Sequence, residues 1–565
     1  MAESLPIDSE NHSKDLSALD TAAAVQAQDE TKATGNDQPH GLRLFLVVFA
    51  LLLCMFLVAL DLTIVATAIP SITDEFHSLA DIGWYGAAFF ITLAVFQALW
   101  GKAYKHFNLK LVFLITVLLF EVGSLICGVA QNSITLIVGR AIAGLGGAGV
   151  TGGIYTIIAF IVPPPKVPAY LGLIGAVFSV ASVAGPLLGG VFSGEVTWRW
   201  AFYINLPIGA VSILLVLVLF HTPTAVKPAP IAAKGLLFVT DIPGIALSLG
   251  ALICFTIAMQ RGGVTESWSS PNVVGTLVGF VVMVIVFAIV EWRSGENAML
   301  IPRLLKNRTI AAFCVFIFFL NACNLSILYN LPQYFQVING VTPTFSGIRN
   351  LPMIFTTAFS ALPSGALLGR SGHYQPFLIF GSAMITLGAG LIYTLDQDSS
   401  IGKIIGYQII VGVGIGSSIQ VPVTAAQAFS KPEDIAVVTA VILFFQLATG
   451  AIWVSAAQAV LSNRLIAVLK ELAPNLNPAD VLAVGATELR NVFHGADLDH
   501  VLQSYMIGLK DAWAMSIGLG GMTFLASFLG ERKSLKSSKP SAIEENGETN
   551  TEAGVKVDSK TGEQL

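Results

Sequence analysis

Long apolar runs alternate with short polar segments from residue 44 to residue 529. A helix needs about 20 predominantly apolar residues to cross the hydrocarbon core of a bilayer. Runs of about this length lie at residues 44–69, 83–100, 111–130, 134–160, 169–193, 201–220, 242–259, 273–292, 310–331, 345–368, 376–395, 402–427, 436–463 and 511–529. The pattern therefore predicts an all-α polytopic membrane protein with 14 transmembrane helices.

The composition excludes a soluble chain and a disordered chain. Of the 565 residues, 54% are hydrophobic and 12% are charged, whereas soluble domains carry about 25% charged residues. The mean hydropathy of +0.75 is too high for a disordered chain. The net charge of −5 implies no attraction to nucleic acid. All five cysteines lie in apolar runs, so neither a disulfide framework nor a metal site is expected.

Both ends of the chain are polar. Residues 1–42 and 531–565 are typical of disordered tails, and an even number of spans places both tails on one side. Short cytoplasmic segments of membrane proteins are enriched in Lys and Arg. With the tails inside, the inner segments near the spans hold 17 of these residues and the outer loops hold eight. The sequence therefore predicts cytoplasmic termini.

The longest predicted outer loop spans residues 464–510. It contains Asn477-Pro478-Ala479-Asp480, which is typical of a helix cap followed by a first turn. We expect this loop to form a small structured lid on the outer mouth. A partner-binding domain is the alternative interpretation.

Two stretches of the first part of the chain recur in the second part. Gly101 to Lys110 resembles Gly365 to Tyr374, and Arg140 to Gly146 resembles Gln408 to Gly414, at offsets of 264 and 268 residues. Such repeats are common in transporters that bind substrate between their halves near mid-membrane. The predicted domains are an N-terminal tail (1–42), a six-helix half (43–220), a linker with two inserted helices (221–309), a six-helix half (310–530) that includes loop 464–510, and a C-terminal tail (531–565).

Three charged residues fall inside the predicted spans: Asp61, Glu121 and Arg140. A charge at the bilayer centre costs about 2.5–3.5 kcal/mol on insertion scales. One explanation is an ion pair that holds helices together. The other is proton coupling, because an acid in a dry cavity can load and release a proton, and a nearby Arg changes how readily it does so.

Glycines cluster in the predicted spans 4 and 5 and in the loops after spans 2 and 10. Small residues let helix backbones approach closely, and a proline inside a span is expected to kink it. A phosphate-binding loop is excluded because neither a preceding strand nor a Gly-Lys-Ser/Thr sequence is present. The candidate packing and gating residues are Gly101, Gly144, Gly149, Gly185, Pro186, Gly189, Gly190 and Arg370.

Polar and aromatic side chains within the spans form a third group. Many of the polar ones are accounted for by hydrogen bonds between helices, and aromatic residues near span ends by a membrane-interface belt. Together they also suit an aromatic cavity with a few polar anchors, which would bind a small amphipathic organic molecule. The candidate cavity residues are Phe89, Phe96, Gln97, Asn205, Asn324, Tyr329, Asn330, Gln333, Gln408 and Gln420.

Several motifs resemble those of one transporter family. They are Leu60 to Pro70, Leu136 to Gly149, Gly175 to Gly190, Trp198 to Gly209 and Leu300 to Arg308. From these the chain is identified as similar to the fourteen-spanner drug:proton antiporters of the major facilitator superfamily. Phe120 to Cys127 resembles the subgroup of fungal toxin and secondary-metabolite efflux pumps.

The resemblance implies a major facilitator fold and export by alternating access. The proton gradient would be the driving force, with Arg140 implicated in coupling, and no cofactor is implied. A monomer surrounded by membrane lipid is expected, in the plasma membrane, with the vacuolar membrane as the alternative.

One motif departs from the family pattern. The loop after span 2 usually carries an Asp four residues after its Gly, but Lys105 stands there, and Gly369 stands at the repeat position. The charge relay that gates the inner face in relatives is therefore in question for residues 101–110. Lys102, Lys105 and Lys110 are instead candidates for contact with anionic lipid.

Other functions remain open at this point. A carrier of basic amino acids or siderophores would need fixed acids near Asp61 and no broad aromatic lining. A membrane enzyme is not expected, because the eight histidines lie in tails or loops without metal-ligand spacing. A non-transporting sensor is a remote alternative, since the tail 531–565 carries no recognisable motif.

Overall fold

A computed structural model describes residues 39–76, 82–222, 241–484 and 489–535 of the chain. The predicted tails 1–42 and 531–565 and the linker segment 223–240 therefore lie largely or wholly outside the described residues. The helices before the linker are α1 (Gly41–Phe76), α2 (Ile82–Val95), α3 (Gln97–His106), α4 (Leu109–Gly128), α5 (Ser133–Ile161), α6 (Val167–Val191), α7 (Trp200–Tyr203) and α8 (Asn205–Leu219).

Among the described residues after the linker there are thirteen α-helices: α9 (Ile242–Arg261), α10 (Pro271–Ser294), α11 (Pro302–Lys306), α12 (Arg308–Gln333), α13 (Pro343–Ser371), α14 (Gln375–Tyr393), α15 (Ile401–Ser418), α16 (Val421–Phe429), α17 (Ile435–Thr449), α18 (Ser455–Leu472), α19 (Pro478–Ala483), α20 (Leu489–Val492) and α21 (Ala496–Ala526). Side chains cap several of the long helices. Asn108, Asn132, Ser270 and Ser400 each accept a hydrogen bond from a backbone N–H in the first turn.

The predicted all-helical membrane class is confirmed. Within the described residues, 13 helical segments are long and apolar enough to cross a membrane. Most of the predicted run 511–529 lies in α21, which is longer than a helix needs to be to cross a bilayer but is not among the 13. Because α21 packs against α12, α14 and α18, which belong to qualifying segments, it lies within the helical bundle. The count of 14 spans stays a prediction.

Glycines allow the closest helix contacts. Gly123 of α4 lies directly against the backbone of Ala143 in α5, and Gly146 of α5 lies against Phe120 in α4. Further extensive contacts join α1 to α6, α13 to α6 and α14 to α15. Because lipid tails are as apolar as Leu, close van der Waals packing replaces the hydrophobic effect as the main force between such helices.

The two helices of the predicted insertion, α9 and α10, pack mainly against each other. Helix α9 also contacts α2 and α18. Helix α10 exposes a row of apolar side chains, namely Val278, Val281, Val282, Ile285, Ile289 and Trp292. This pattern is that of a helix at the lipid-facing edge of the bundle.

The two ends of the bundle are distinct. The tail end contains the start of α1 and the end of α21, where Tyr374 donates a hydrogen bond to the carbonyl of Glu531. The far end contains residues 192–200, 472–484 and 489–496. There Arg199 donates to both carboxylate oxygens of Glu75, at 2.8 and 2.9 Å, and Trp198 donates to the same carboxylate. The hydrogen bond from Arg199 lowers the pKa of Glu75.

The segment between α18 and α21 is shorter than the predicted loop 464–510. Helix α18 continues to Leu472, and α21 begins at Ala496. As expected, Asn477 caps a helix there, by accepting a hydrogen bond from the N–H of Ala479. Arg490 donates to the carbonyl of Ile338 at 2.7 Å, so the segment is packed onto the far end.

Candidate functional site

Arg140 and Asp61 form a buried ion pair between α5 and α1. Each side chain is at most 1% exposed. The Arg140 Nε atom also donates to the carbonyl of Tyr85 at 2.8 Å, and the guanidinium lies 4.4 Å from the centre of the Phe89 ring. A buried charge is tolerated when it is paired and hydrogen-bonded. The second carboxylate oxygen of Asp61, Oδ1, has no partner within the described ranges.

Glu121 lies on α4 against Gly209 of α8. Neither of its carboxylate oxygens has a hydrogen-bond partner in the described part of the chain. Close by in sequence, Ser124 accepts a hydrogen bond from Asn205 at 3.0 Å. Unpaired buried polar groups are rare in native proteins, so Glu121 calls for a functional explanation.

A central cavity of about 110 Å³ lies between helices that precede the inserted pair and helices that follow it. The first group supplies residues from α1, α2, α5 and α6, and the second supplies residues from α12, α13, α15 and α17. The amide and aromatic side chains on its wall are Phe90, Tyr155, Phe178, Asn321, Asn324, Gln420 and Gln446. Apolar residues form most of the remaining wall, as in typical sites for small organic molecules.

A larger far-end cavity of about 550 Å³ adjoins the central cavity, because Leu62 and Phe90 line both. Arg140 forms part of its wall, so the ion pair borders this space. Helix α9 contributes Thr256, Met259 and Gln260. The two cavities together give a route from the middle of the bundle towards the far end.

Four of the ten candidate cavity residues line these two spaces. Asn324 and Gln420 line the central cavity, and Tyr329 and Gln333 line the far-end cavity. The other six line neither of them: Phe89, Phe96, Gln97, Asn205, Asn330 and Gln408.

These six residues lie within the helix packing; Asn205 donates to Ser124, and both amide atoms of Gln97 are buried without a partner in the described residues. Phe89 lies against Arg140, and Gln408 donates a hydrogen bond to the carbonyl of Arg349. Gln97 and Asn330 are buried, and Phe96 packs against the core at the break between α2 and α3. Tyr155 was missed, since one Tyr in a Gly-rich apolar span carries no sequence signal for a cavity.

The candidate packing residues fall into two groups. Gly101, Gly144, Gly149 and Gly185 each lie in direct contact with a neighbouring helix. Gly189 is buried, and Pro186 lies inside α6, which continues through it. Gly190 has open space beside it, and Arg370 is exposed in the last turn of α13.

At the tail end, the lysines after span 2 contact protein groups. Lys105 pairs with Asp434 at 3.0 Å, and Arg303 pairs with the same carboxylate at 3.0 Å. Lys102 donates to the carbonyl of Asn297 at 2.6 Å, and Lys110 donates to that of Leu217. The interpretation as lipid anchors is thus corrected for Lys102 and Lys105, which bind protein groups inside the bundle, and stays a prediction for Lys110. The family pattern has an Asp at position 105, whereas here the position carries a Lys that pairs with an Asp from another segment.

We expect the Asp434→Asn substitution to weaken closure of the tail end. Asp434 neutralises two cations, so its loss leaves Lys105 facing Arg303. Partly exposed pairs contribute about 0.2–1 kcal/mol each, so the open fraction should rise several-fold. The measurement is alkylation of a Ser179→Cys variant by an impermeant thiol reagent added from the tail side. The control is Glu433→Gln, an exposed neighbour. Equal labelling of both variants would show that this cluster does not hold the tail end closed.

The fold, the cavity between two sets of helices and the buried ion pair define a multi-pass membrane transporter rather than an enzyme. Residues 51–454 match the family model described as Major Facilitator Superfamily. The chain belongs to this superfamily.

Curated relatives agree with this assignment. The MFS-type transporter grgE of Penicillium sp is 45% identical over 501 residues, covering 88% of this chain and 89% of that protein. The efflux pump notK of Aspergillus sp. is 43% identical and covers 89% and 90%. The dehydrocurvularin exporter of Alternaria cinerariae is 40% identical and covers 91% and 89%. The solved human organic anion transporter MFSD10, 12% identical with a TM-score of 0.56, covers 86% of this chain and 100% of that one and shares its fold.

Proposed function

We propose that the chain is a proton-coupled exporter of small amphipathic organic compounds that works by alternating access. The observation that carries the proposal is the position of Arg140, which pairs with Asp61 and also borders the far-end cavity. A change in the charge of Asp61 would therefore affect Arg140, which forms part of the wall of the substrate route. The names of relatives as efflux pumps and exporters support the direction of transport.

In this mechanism, proton binding to Asp61 removes the negative partner of Arg140. The guanidinium would keep its bonds to the backbone carbonyls of Tyr85 and Asp61 and its contact with Phe89, but the charge attraction between α5 and α1 would be lost. The helices can then move relative to each other. Binding of a ligand or a proton shifts the equilibrium between two conformations only when the two conformations bind it with different affinities.

Glu121 is the proposed second proton site. A buried carboxyl without a hydrogen-bond partner is accommodated at lowest cost in its neutral form. It lies on α4 against Gly209 of α8 and has no hydrogen bond to Arg140 in the described residues, so it would hold a proton without replacing Asp61 as the partner of Arg140.

The expected alternating-access cycle starts from the conformation described above. The tail end is held by the Lys105–Asp434 pair and by contacts of Gly101 with α17, while the far-end cavity is the larger space. We propose that the tail end faces the cytoplasm of a plasma-membrane protein, with residues 43–220 and 310–530 as the moving halves. The transporter would then release substrate at the far end and bind a new substrate molecule after the tail end opens. A monomer suffices, since both sides of the cavity come from one chain.

A carrier of basic amino acids or siderophores is less consistent with the cavity. Such a substrate would need free acids on the wall, whereas Asp61 is already bonded to Arg140. The central cavity instead presents amide and aromatic groups. Export of an amphipathic organic molecule fits these groups better.

The proposed function is tested by untargeted mass spectrometry of medium and cell extract. Cells that express the protein are compared with cells that lack it, with and without a protonophore. We expect at least one organic compound to accumulate in the medium only when the protein and the proton gradient are both present. Export that persists unchanged with the protonophore would contradict proton coupling, and redistribution within the cell would contradict the plasma-membrane assignment.

A further inference from the structure

The wall of the central cavity is uncharged. Within the described residues, none of the side chains that line it is an acid, a lysine, an arginine or a histidine. A charged molecule that enters such a space loses its hydration and gains no counter-charge, which is unfavourable. An uncharged molecule does not meet this barrier.

Four amide side chains line the wall, and they come from three separate elements, because Asn321 lies on the same helix as Asn324. Gln420 lies at the break between α15 and α16, Asn324 lies on α12, and Gln446 lies on α17. They therefore surround the cavity rather than form one polar strip. An enclosed molecule could form hydrogen bonds on more than one side.

Gln420, Asn324 and Gln446 each keep hydrogen-bonding capacity within the described structure. The Gln420 Oε1 atom accepts a bond from Tyr155 at 2.9 Å, which turns the Nε2 donor towards Gly175 on the cavity wall. Asn324 donates to Asn321 at 3.4 Å and keeps its oxygen as an acceptor. The Gln446 side chain has no protein partner among the described residues, although its backbone carbonyl accepts a bond from Asn321.

Because the cavity is small, hydrogen bonds to these amides strongly affect how tightly a molecule binds. With about 110 Å³ available, a drug-sized molecule fits only if the surrounding helices separate slightly, so little bulk water can enter with it. Phe90 and Phe178 provide apolar surface beside the amides. A bound molecule is thus largely desolvated, and hydrogen bonds from its oxygens to the amides replace those lost to water.

We propose that the central cavity selects uncharged amphipathic molecules that carry carbonyl or hydroxyl oxygens, with Gln420 and Gln446 as the residues that determine this selectivity. The proposal rests on the export function proposed above. It specifies the chemical class of the exported compound and excludes permanent cations and carboxylates as preferred substrates. Unpaired amide donors and acceptors match carbonyl and hydroxyl groups, whereas a quaternary ammonium group can make no conventional hydrogen bond to them.

The test uses three coumarins of similar size: 7-amino-4-methylcoumarin, which is neutral, a coumarin carboxylate and a trimethylammonium coumarin. Binding to the purified protein and export from reconstituted vesicles are both measured. We expect the neutral probe to bind and to be exported at least about 10-fold better than either charged probe, a ratio equivalent to about 1.4 kcal/mol.

Variants separate selectivity from overall activity. Gln420→Glu or Gln446→Glu should raise the ratio of cationic to neutral probe by about 10-fold. The matched control is Gln397→Glu, which makes the same change in an exposed turn and should leave the ratio unchanged. A wild-type protein that binds all three probes equally, or binds none, overturns the proposed selectivity. Ranked binding without any export would contradict the export function and leave the selectivity supported.

Discussion

Replacing Arg140 with Ala should reduce proton-driven export at least about 100-fold. The substitution removes the only charged group bonded to the Asp61 carboxylate in the described structure. An unpaired buried carboxylate costs about 3–5 kcal/mol, so Asp61 is expected to take up a proton once Arg140 is gone. Asp61 would then stay protonated in all conformations, so it could no longer release a proton in each cycle. Substrate export driven by a pH gradient in reconstituted vesicles measures the loss.

The double variant Asp61→Asn/Arg140→Gln is the matched control for folding. It replaces the ion pair with two neutral amides of similar size, so the protein should reach the membrane and unfold at a temperature close to that of the wild type. Exchange of substrate down its own gradient should continue in this variant, while export against that gradient should not. Wild-type driven export by folded Arg140→Ala protein would contradict the coupling role.

The second large loss of export is expected from the substitutions Gly101→Val and Gly172→Val. A Cβ atom on Gly172 would lie 2.7 Å from the carbonyl oxygen of Ala361 in α13, and one on Gly101 would overlap Ala440 in α17. Both contacts lie at the closed tail end. Overpacking costs about 1–3 kcal/mol, and here the cost falls on the closed conformation alone. Export should therefore fall about 10-fold to 100-fold.

Gly390 and Gly406 provide matched controls for these two variants. Each lies in a long helix, and a Cβ atom there meets nothing within 4 Å. Gly390→Val and Gly406→Val should retain export within about twofold, because the only change is a small difference in helix propensity. Thiol labelling of the Ser179→Cys cavity position from the tail side should rise only in the two contact variants. A rise in all four would show that general loosening of the bundle, not blocked closure, causes the defect.

Hydrophobic patterning predicted the helical class because the cost of unpaired backbone groups in lipid leaves few alternatives. It was less accurate at helix ends. The run at 511–529 covers the mainly apolar part of the last helix, whereas α21 begins at Ala496, and its more polar first turns still bury Val501 and Leu502. The run at 83–100 gave no sign of the break at Phe96. Hydropathy shows which residues suit lipid, and tertiary contacts decide where each helix ends.

The charged residues of the candidate site could be predicted from the sequence, but their neighbours could not. Asp61 and Arg140 stand out in sequence, because charges inside spans are costly. Their partners do not, since the Tyr85 carbonyl and the Phe89 ring become neighbours only in the folded bundle. Phe89 and Phe90 are adjacent in sequence, yet one packs on Arg140 and the other lines both cavities. When every face of a helix is apolar, the sequence gives no means of choosing between them.

The inserted helix α9 has a consequence for what happens to a molecule after release. Thr256, Met259 and Gln260 of α9 form one side of the far-end cavity. An amphipathic compound that could leave sideways would return to the bilayer and diffuse back to the side it came from. A protein wall on that side directs the compound to water instead. Under the proposed function, helix α9 would thus reduce futile cycling, because fewer exported molecules would return through the bilayer.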